Sequence, residues 1–474
     1  MNVLFLSSEV APFSKTGGLA DVAFALPRAL ARLGHDVRVV TPRYGGVDPR
    51  GMQPATAPLT LHFPFGDLTG LLLEHPPVGS CRIRFLEQAE LFGNRPGVYG
   101  GVHGEYGDNA LRFAYLAVAA LSFAQLEGFV PDVVHLNDWQ TALAAVALKR
   151  GYFSTELADA RTVLTLHNAA YQGKFEKHAM SELGLPWDLF TSELLEDHDR
   201  VSFLKAGITF ADALTAVSPT FARELQTPEG GHGLDGLLRR EKHKLTGILN
   251  GVDTDTWDPA IDPLLPARFS ADDPSGKDEC TRALRDVAGL RQSDGPLFGV
   301  LGRMTDQKGV ELIQAVVPGL VDRGAQVAVL GSGDRHFEDG YRALAARYPG
   351  RVSVRIGFDE ALAHLVEAGS DFFLMPSRFE PCGLNQMYSL LYGAVPIVRG
   401  VGGLLDTVVD LGADDGTGVV FHEFSADALW GACGRALALW QDPAWLADVR
   451  ERGMSQDFGW EKAARAYEAV YASP

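Results

Sequence analysis

Short apolar strands alternate with amphipathic helices along this chain, and they do so in two successive series. Val3-Leu4-Phe5-Leu6 is a strand, and a glycine-containing loop follows, Lys15-Thr16-Gly17-Gly18-Leu19-Ala20-Asp21. Val22, Leu26, Leu30 and Leu33 then recur at helical spacing, and Gly34 ends that helix before a second strand, Val37-Arg38-Val39-Val40. A strand–helix–strand unit of this kind forces parallel pairing and a right-handed crossover. Val133-Val134-His135, Thr162 to Leu166 and Ala213 to Val217 continue the series.

The stretch from Thr254 to Ser275 is rich in Asp and Pro and reads as a linker or surface excursion. Then the alternation restarts. Leu297 to Leu301 is a strand, and Val310, Ile313, Val317 and Leu320 mark a helix. Val327 to Leu330, Val352 to Val354, Phe372 to Met375 and Ala394 to Val398 are further strands. The sequence therefore predicts an α/β protein of two successive doubly wound domains. The tail after Asp457 is helical and aromatic, with Phe458, Trp460, Tyr467 and Tyr471. Docking back onto the first domain is one way to cover such a helix.

Composition narrows the partners. Of 474 residues, 42 are Lys or Arg and 60 are Asp or Glu, for a net charge of −18. A chain this acidic is a poor ligand for nucleic acid or an anionic membrane. No secretory signal is read at the N-terminus. The longest nearly apolar run, Phe113 to Ala124, is short for a bilayer. Cys81, Cys280, Cys382 and Cys433 form no C-x-x-C pair, and the 13 histidines form no H-E-x-x-H set. These features fit a reduced cytoplasmic compartment and predict no metal.

Three strand-end loops carry candidate chemistry. Lys15-Thr16-Gly17-Gly18 stands at a helix start, where backbone N–H groups and the helix dipole favour an anion. It is neither a Walker A motif nor G-x-G-x-x-G, and Asp36 precedes the second strand rather than closing it, which disfavours a dinucleotide site. A tight turn with an exposed lysine is the plain alternative. In the second domain, Arg303 and Lys308 follow a strand and could clamp a diphosphate without a metal, or be two solvated charges. Pro376 to Leu384 also links a strand to a helix, and within it Glu380 could grip sugar hydroxyls or sit as a helix-dipole partner. Cys382 reads as a small buried hydrophobe. His135, Asp138 and His167 lie at or just beyond strand ends, and taken singly each reads more readily as a hydrogen-bonded structural polar residue than as a catalytic one.

Taken together, the motifs resemble those of bacterial glycogen synthases and plant starch synthases, almost from end to end. Lys15 to Val22 spells the family's donor loop. Tyr99-Gly100, Asp108-Asn109, His167-Asn168-Ala169-Ala170-Tyr171-Gln172-Gly173, Phe203 to Gly207 and Ile248 to Asp253 match further pieces in order, as do Arg303 with Lys308, the Glu380 segment and Gly402 to Val408. There are departures. Asn137 and Gln140 stand where the family has histidines around Asp138-Trp139, and Val401 stands where it has threonine.

The resemblance implies a GT-B fold, two doubly wound Rossmann-like domains facing across a cleft. One would span 1–250, with helix 455–474 packing back on it, and the other 251–454. It implies a retaining hexosyltransferase that moves glucose from ADP-glucose to the non-reducing end of an α-1,4-glucan such as glycogen, without a cofactor. Arg303, Lys308, Glu380, His167 and Asp138 would be catalytic. Lys15, Gly17, Gly18, Asp21, Cys382, Gly383, Leu384 and Thr407 would bind ADP-glucose. Tyr99, Asn109, Asn168 and Asn250 would serve the sugar or acceptor side. Gly17, Gly18, Gly383, Gly402 and Gly403 are expected where backbone meets ligand. A non-catalytic glucan- or nucleotide-binding protein, or a phosphorylase or sugar-nucleotide epimerase on the same scaffold, are the alternatives; nucleoside diphosphate release in the presence of glycogen separates them.

Overall fold

The computed structural model describes residues 1–77, 81–101 and 104–473. It contains two compact units, Met1–Gly251 with Trp460–Pro474, and Val252–Gly459.

The first unit is built on parallel strands β1 (Asn2–Leu6), β2 (Asp36–Pro42), β3 (Arg82–Glu87), β4 (Val133–Asn137), β5 (Arg161–Leu166), β6 (Ala213–Ala216) and β7 (Leu245–Gly247). Their order is β7-β6-β5-β4-β1-β2-β3, extended beyond β3 by antiparallel strands within Gln53–Glu74. Leu6 pairs with Val40 on one side and Leu136 on the other. The order reverses between β1 and β4, and ligands of open α/β sheets collect outside the carboxyl ends at such a point. The loops leaving β1 and β4 carry Glu9 to Gly17 and Asp138.

Helices flank this sheet. Helix α1 (Gly18–Arg32) buries Val22, Leu26 and Leu30, the positions whose spacing predicts it. Helix α2 (Asn109–Leu126) is 18 residues long, longer than the apolar run within it. By length and composition alone it could cross a membrane, but 72% of it is buried inside the protein. It is a core helix, and its one charge, Arg112, is wholly buried yet bonded to the carbonyls of Leu91 and Val98 at 2.7 and 2.8 Å and to Asn109 Oδ1 at 2.7 Å. The C-terminal helix Trp460–Ala472 belongs to this unit and packs against α1. It buries Trp460, Ala464, Tyr467 and Tyr471, and the Tyr471 hydroxyl meets His135 Nδ1 at 2.5 Å.

The second unit is a sheet of six parallel strands, β8 (Leu297–Leu301), β9 (Gln326–Gly331), β10 (Val352–Ile356), β11 (Phe372–Met375), β12 (Val395–Arg399) and β13 (Val419–Phe421). The order is β10-β9-β8-β11-β12-β13, so it reverses between β8 and β11. Phe298, Val327, Phe372 and Ile397 pack with Leu320 and Leu429 of the covering helices into its core. The Asp- and Pro-rich stretch is part of this unit. Trp257 lies between His364 and Tyr388, with ring centroids at 3.7 and 3.9 Å.

Candidate active site

In the first unit, the β1 and β4 loops gather around two buried carboxylates. Glu9 is 2% exposed and was not singled out from sequence. It accepts from the backbone N–H of Thr16 and Gly17, from Thr16 Oγ1 at 2.7 Å and from the Tyr99 hydroxyl. Burial outweighs these bonds and raises its pKa. A lone glutamate inside the apolar stretch that leaves a strand was the available signal. Because Glu9 takes the N–H groups of Thr16 and Gly17, any anion at α1 must use the turns beyond, from Gly18 onward. The space above Gly17 is open, with nothing within 4 Å of where a Cβ would stand. Lys15 Nζ pairs with Asp21 Oδ1 at 2.7 Å, in an exposed setting where an ion pair is worth about 0–1 kcal/mol and is readily exchanged.

Tyr99 and Asn109 sit behind Glu9. The Tyr99 hydroxyl also meets Ser8 Oγ at 2.9 Å, and Asn109 Nδ2 donates to the Tyr99 carbonyl at 2.9 Å. These polar groups are engaged in bracing the carboxylate.

Asp138 opens the β4 loop with a left-handed backbone, φ 52°, uncommon for a residue with a Cβ. Its Oδ1 accepts the N–H of His167 at 2.7 Å and of Asn168 at 3.4 Å. Burial nevertheless pushes its pKa up to about 7, with the nearby Glu9 adding to the rise. His167 is depressed by burial to about 3 and is therefore neutral at physiological pH. Asn137, one of the departures, links the two strands. Its Nδ2 donates to Leu6 O at 2.8 Å, so its Oδ1 faces His167 Nε2 at 2.9 Å. The imidazole then carries its proton on Nε2 and keeps Nδ1 as an acceptor. Asn168 Oδ1 caps the Ala170 N–H at 3.0 Å. Asn250 is buried near the end of the unit, and Gln140 is buried as well.

In the second unit, the β8 and β11 loops meet. Lys308 Nζ donates to Glu380 Oε2 at 2.6 Å, and Ser377 Oγ donates to the same oxygen at 2.9 Å. Glu380 is buried whereas Arg303 is exposed, hydrogen-bonded to Gln307 Oε1 at 3.3 Å. Gln307 ties the loops together through the Phe379 carbonyl at 3.3 Å and the Arg378 N–H at 2.8 Å. A cavity of about 30 Å³ lies under them, lined by Gly302, Arg303, Lys308, Ser377 and Tyr341. Phe358, just beyond β10, is 81% exposed at the same carboxyl end of the sheet and was not anticipated.

The next loop supports this one. Gly402 has φ 45°, and a Cβ there would fall on the Glu380 carbonyl oxygen. A Cβ at Gly403 would fall on that of Cys382, and the Gly403 N–H bonds Glu380 O at 3.1 Å. These glycines thus admit neighbouring backbone, where the sequence suggested a ligand. Thr407 is buried, its hydroxyl donating to Gly403 O at 2.7 Å and accepting from Gln386 Nε2 at 3.1 Å. Val401, the other departure, contributes its carbonyl to Leu404 N at 3.1 Å, a bond indifferent to its side chain. Cys382 is buried, Gly383 turns the chain at φ 73°, and Leu384 leads into helix Asn385–Leu391. Among the described residues no group of three or more His, Cys, Asp or Glu side chains is placed to hold a metal ion.

Two Rossmann-like units, each with polar and charged loops at its strand-order reversal, define a GT-B glycosyltransferase. The starch synthase catalytic domain family matches residues 2–240, and glycosyl transferases group 1 matches residues 285–445. The chain is 56% identical to a glycogen synthase of Myxococcus xanthus over 475 residues, covering 99% of each. It is 52% identical to a glycogen synthase of Anaeromyxobacter sp., covering 100% of this chain and 99% of the other. The catalytic domain of starch synthase IV from Arabidopsis thaliana, solved with ADP and acarbose, superposes with a TM-score of 0.92 at 34% identity, over 99% of this chain and 98% of that one. A sucrose-phosphate synthase of Thermosynechococcus elongatus, at 20% identity and a TM-score of 0.62, shares the fold. The chain belongs to the glycogen and starch synthase family of retaining glycosyltransferases.

Proposed function

We propose that this protein transfers glucose from ADP-glucose to the 4-hydroxyl at the non-reducing end of an α-1,4-glucan, retaining the α configuration, in the cytoplasm. The observation that carries the site assignment is the second unit's loop pair, with Lys308, Glu380 and Ser377 hydrogen-bonded and Arg303 exposed beside them at the strand-order reversal. As the sugar–diphosphate bond breaks, negative charge grows on the departing ADP. We assign Arg303 and Lys308 to neutralise that charge, and Lys15 and the Gly18 N–H to the same role. Such neutralisation needs no metal. Arg303 offers a two-pronged contact to phosphate oxygens and Lys308 a point charge.

Glu380, held by Lys308 and Ser377, orients donor sugar hydroxyls. Cys382, Gly383, Leu384 and Thr407 shape the loop around it, and Phe358 offers its exposed face to the base. In the first unit, Asp138 and neutral His167 hold the sugar and approach the acceptor, backed by Tyr99, Asn109, Asn168 and Asn250. The acceptor proton leaves with the departing phosphate in a front-side displacement. Domains 1–250 with the C-terminal helix and 251–454 take the acceptor and donor roles respectively.

The test is direct. Glycogen is supplied with ADP-glucose or UDP-glucose, and nucleoside diphosphate release is followed with and without chelator. Release from ADP-glucose, undiminished by chelator, is expected; no release with either donor sinks the synthase reading, and loss with chelator sinks the metal-free one.

A further inference from the structure

Asn137 ends β4 wholly buried, and each of its polar atoms is engaged. Its backbone is stapled by Thr141, whose Oγ1 accepts the Asn137 N–H at 2.7 Å and donates to the Asn137 carbonyl at 3.0 Å. The side chain therefore leaves from a fixed point. It ties the carboxyl ends of three neighbouring strands, reaching Leu6 at the end of β1 and His167 just after β5. Asp138, the next residue, holds the backbone N–H of the same histidine at 2.7 Å. Two adjacent residues thus grip His167, one by its ring and the other by its main chain.

The amide settles where the ring proton goes. The Leu6 carbonyl can only accept, so the amide nitrogen must face it. The amide oxygen then faces Nε2, and an oxygen that carries no hydrogen demands one on the ring nitrogen. The other ring nitrogen, Nδ1, bonds no described residue. We propose that Asn137 is a positioning residue that fixes the tautomer of His167, so that Nδ1 meets the substrate as a bare acceptor and selects a sugar hydroxyl. This rests on His167 holding the sugar. A ring lone pair attracts an O–H and repels a phosphate oxygen, so the ring sorts the two halves of a nucleotide sugar. The histidine that the family has at this place offers the same pair of groups, because a neutral imidazole is a donor at one nitrogen and an acceptor at the other. Asn137 is then a departure in residue type but not in proton placement. Leucine has nearly the shape of asparagine and supplies neither group.

The experiment compares wild type, Asn137→Leu and Asn137→His, each carrying ¹⁵N-labelled histidine. Two-bond proton–nitrogen spectra distinguish a protonated ring nitrogen from a bare one, and His167→Gln assigns the signals. On the same preparations kcat and KM are measured for ADP-glucose with glycogen. Wild type should show a protonated Nε2 and a bare Nδ1. Asn137→Leu, assayed well below its melting temperature, should mix the tautomers and lower kcat/KM about tenfold, and Asn137→His should recover most of each loss. A bare Nε2 in wild type overturns the proposal without any variant, which keeps the test open should Asn137→Leu fold poorly. Activity lost with the tautomer intact would make Asn137 merely structural, and tautomers mixed with activity intact would leave the place of the proton without effect. Either result overturns the proposal, as does a folded Asn137→Leu unchanged in both. If wild type releases no nucleoside diphosphate, the transferase reading falls on its own, and the spectra still judge the tautomer.

Discussion

Lys308 and Arg303 are both assigned to the leaving diphosphate, but they differ in what else they do. Arg303 is exposed and touches little, so Arg303→Ala should lower kcat about 10²–10³-fold and leave the melting temperature unchanged. Lys308 pairs with a buried carboxylate, and removing it leaves Glu380 without its cation. Lys308→Ala should therefore lose activity and stability together, read by turnover and thermal melting on the same preparation. Asp138 gives a pH signature. Its folded pKa is raised to about 7 from 3.8, so the folded state holds the proton more tightly than the unfolded chain. The stability it contributes is full below about pH 4 and is lost as pH rises through about 7. Melting temperatures between pH 5 and 8 should fall less steeply in Asp138→Asn than in wild type. If the ionised carboxylate is the working form, kcat/KM rises through the same range. His167, near 3, cannot supply that limb.

The glycines at the strand ends are where elements meet. Gly309 has φ 64°, and a Cβ there would strike the Pro376 carbonyl oxygen, so it lets the β8 loop lie against the β11 loop. Gly309→Ala combines a left-handed backbone penalty of about 1–2 kcal/mol with that collision. It should destabilise the second unit and weaken donor binding, seen in denaturant titration and KM for the donor. The strands legible in the sequence are the apolar runs, such as Val3 to Leu6 and Phe372 to Met375, which parallel sheets bury on both faces. β3 was hidden because its sequence, Arg82-Ile83-Arg84-Phe85-Leu86-Glu87, alternates with charges. Arg84 is buried all the same, neutralised by Glu74 and Glu127. The same limit applies to the site. Glycine pairs and cations announced the loops, but Glu9 acts through a partner far away in the chain, Tyr99 being 90 residues from it. Spacing cannot reveal such pairs. Nor could it tell that Gly402 and Gly403 serve backbone packing, since ligand and carbonyl oxygen demand the same missing Cβ.

At the scale of the whole chain, the first unit takes its residues from both ends of the sequence, Met1–Gly251 and Trp460–Pro474. The acidic balance of −18 is spread over a molecule whose assigned cations lie in a few loops, which is how an anionic donor is accommodated without a basic surface. Tyr471→Phe leaves His135 Nδ1 without its buried partner and should cost about 1–3 kcal/mol by denaturant titration. Docking of the last helix on α1 also bears on synthesis. A domain usually folds once it has left the ribosome, but here the surface of α1 and the ring of His135 must wait while the entire second unit is made. During that interval the nascent first unit exposes an apolar seam. Chains arrested before Trp460 would carry it permanently, so truncation there should promote aggregation.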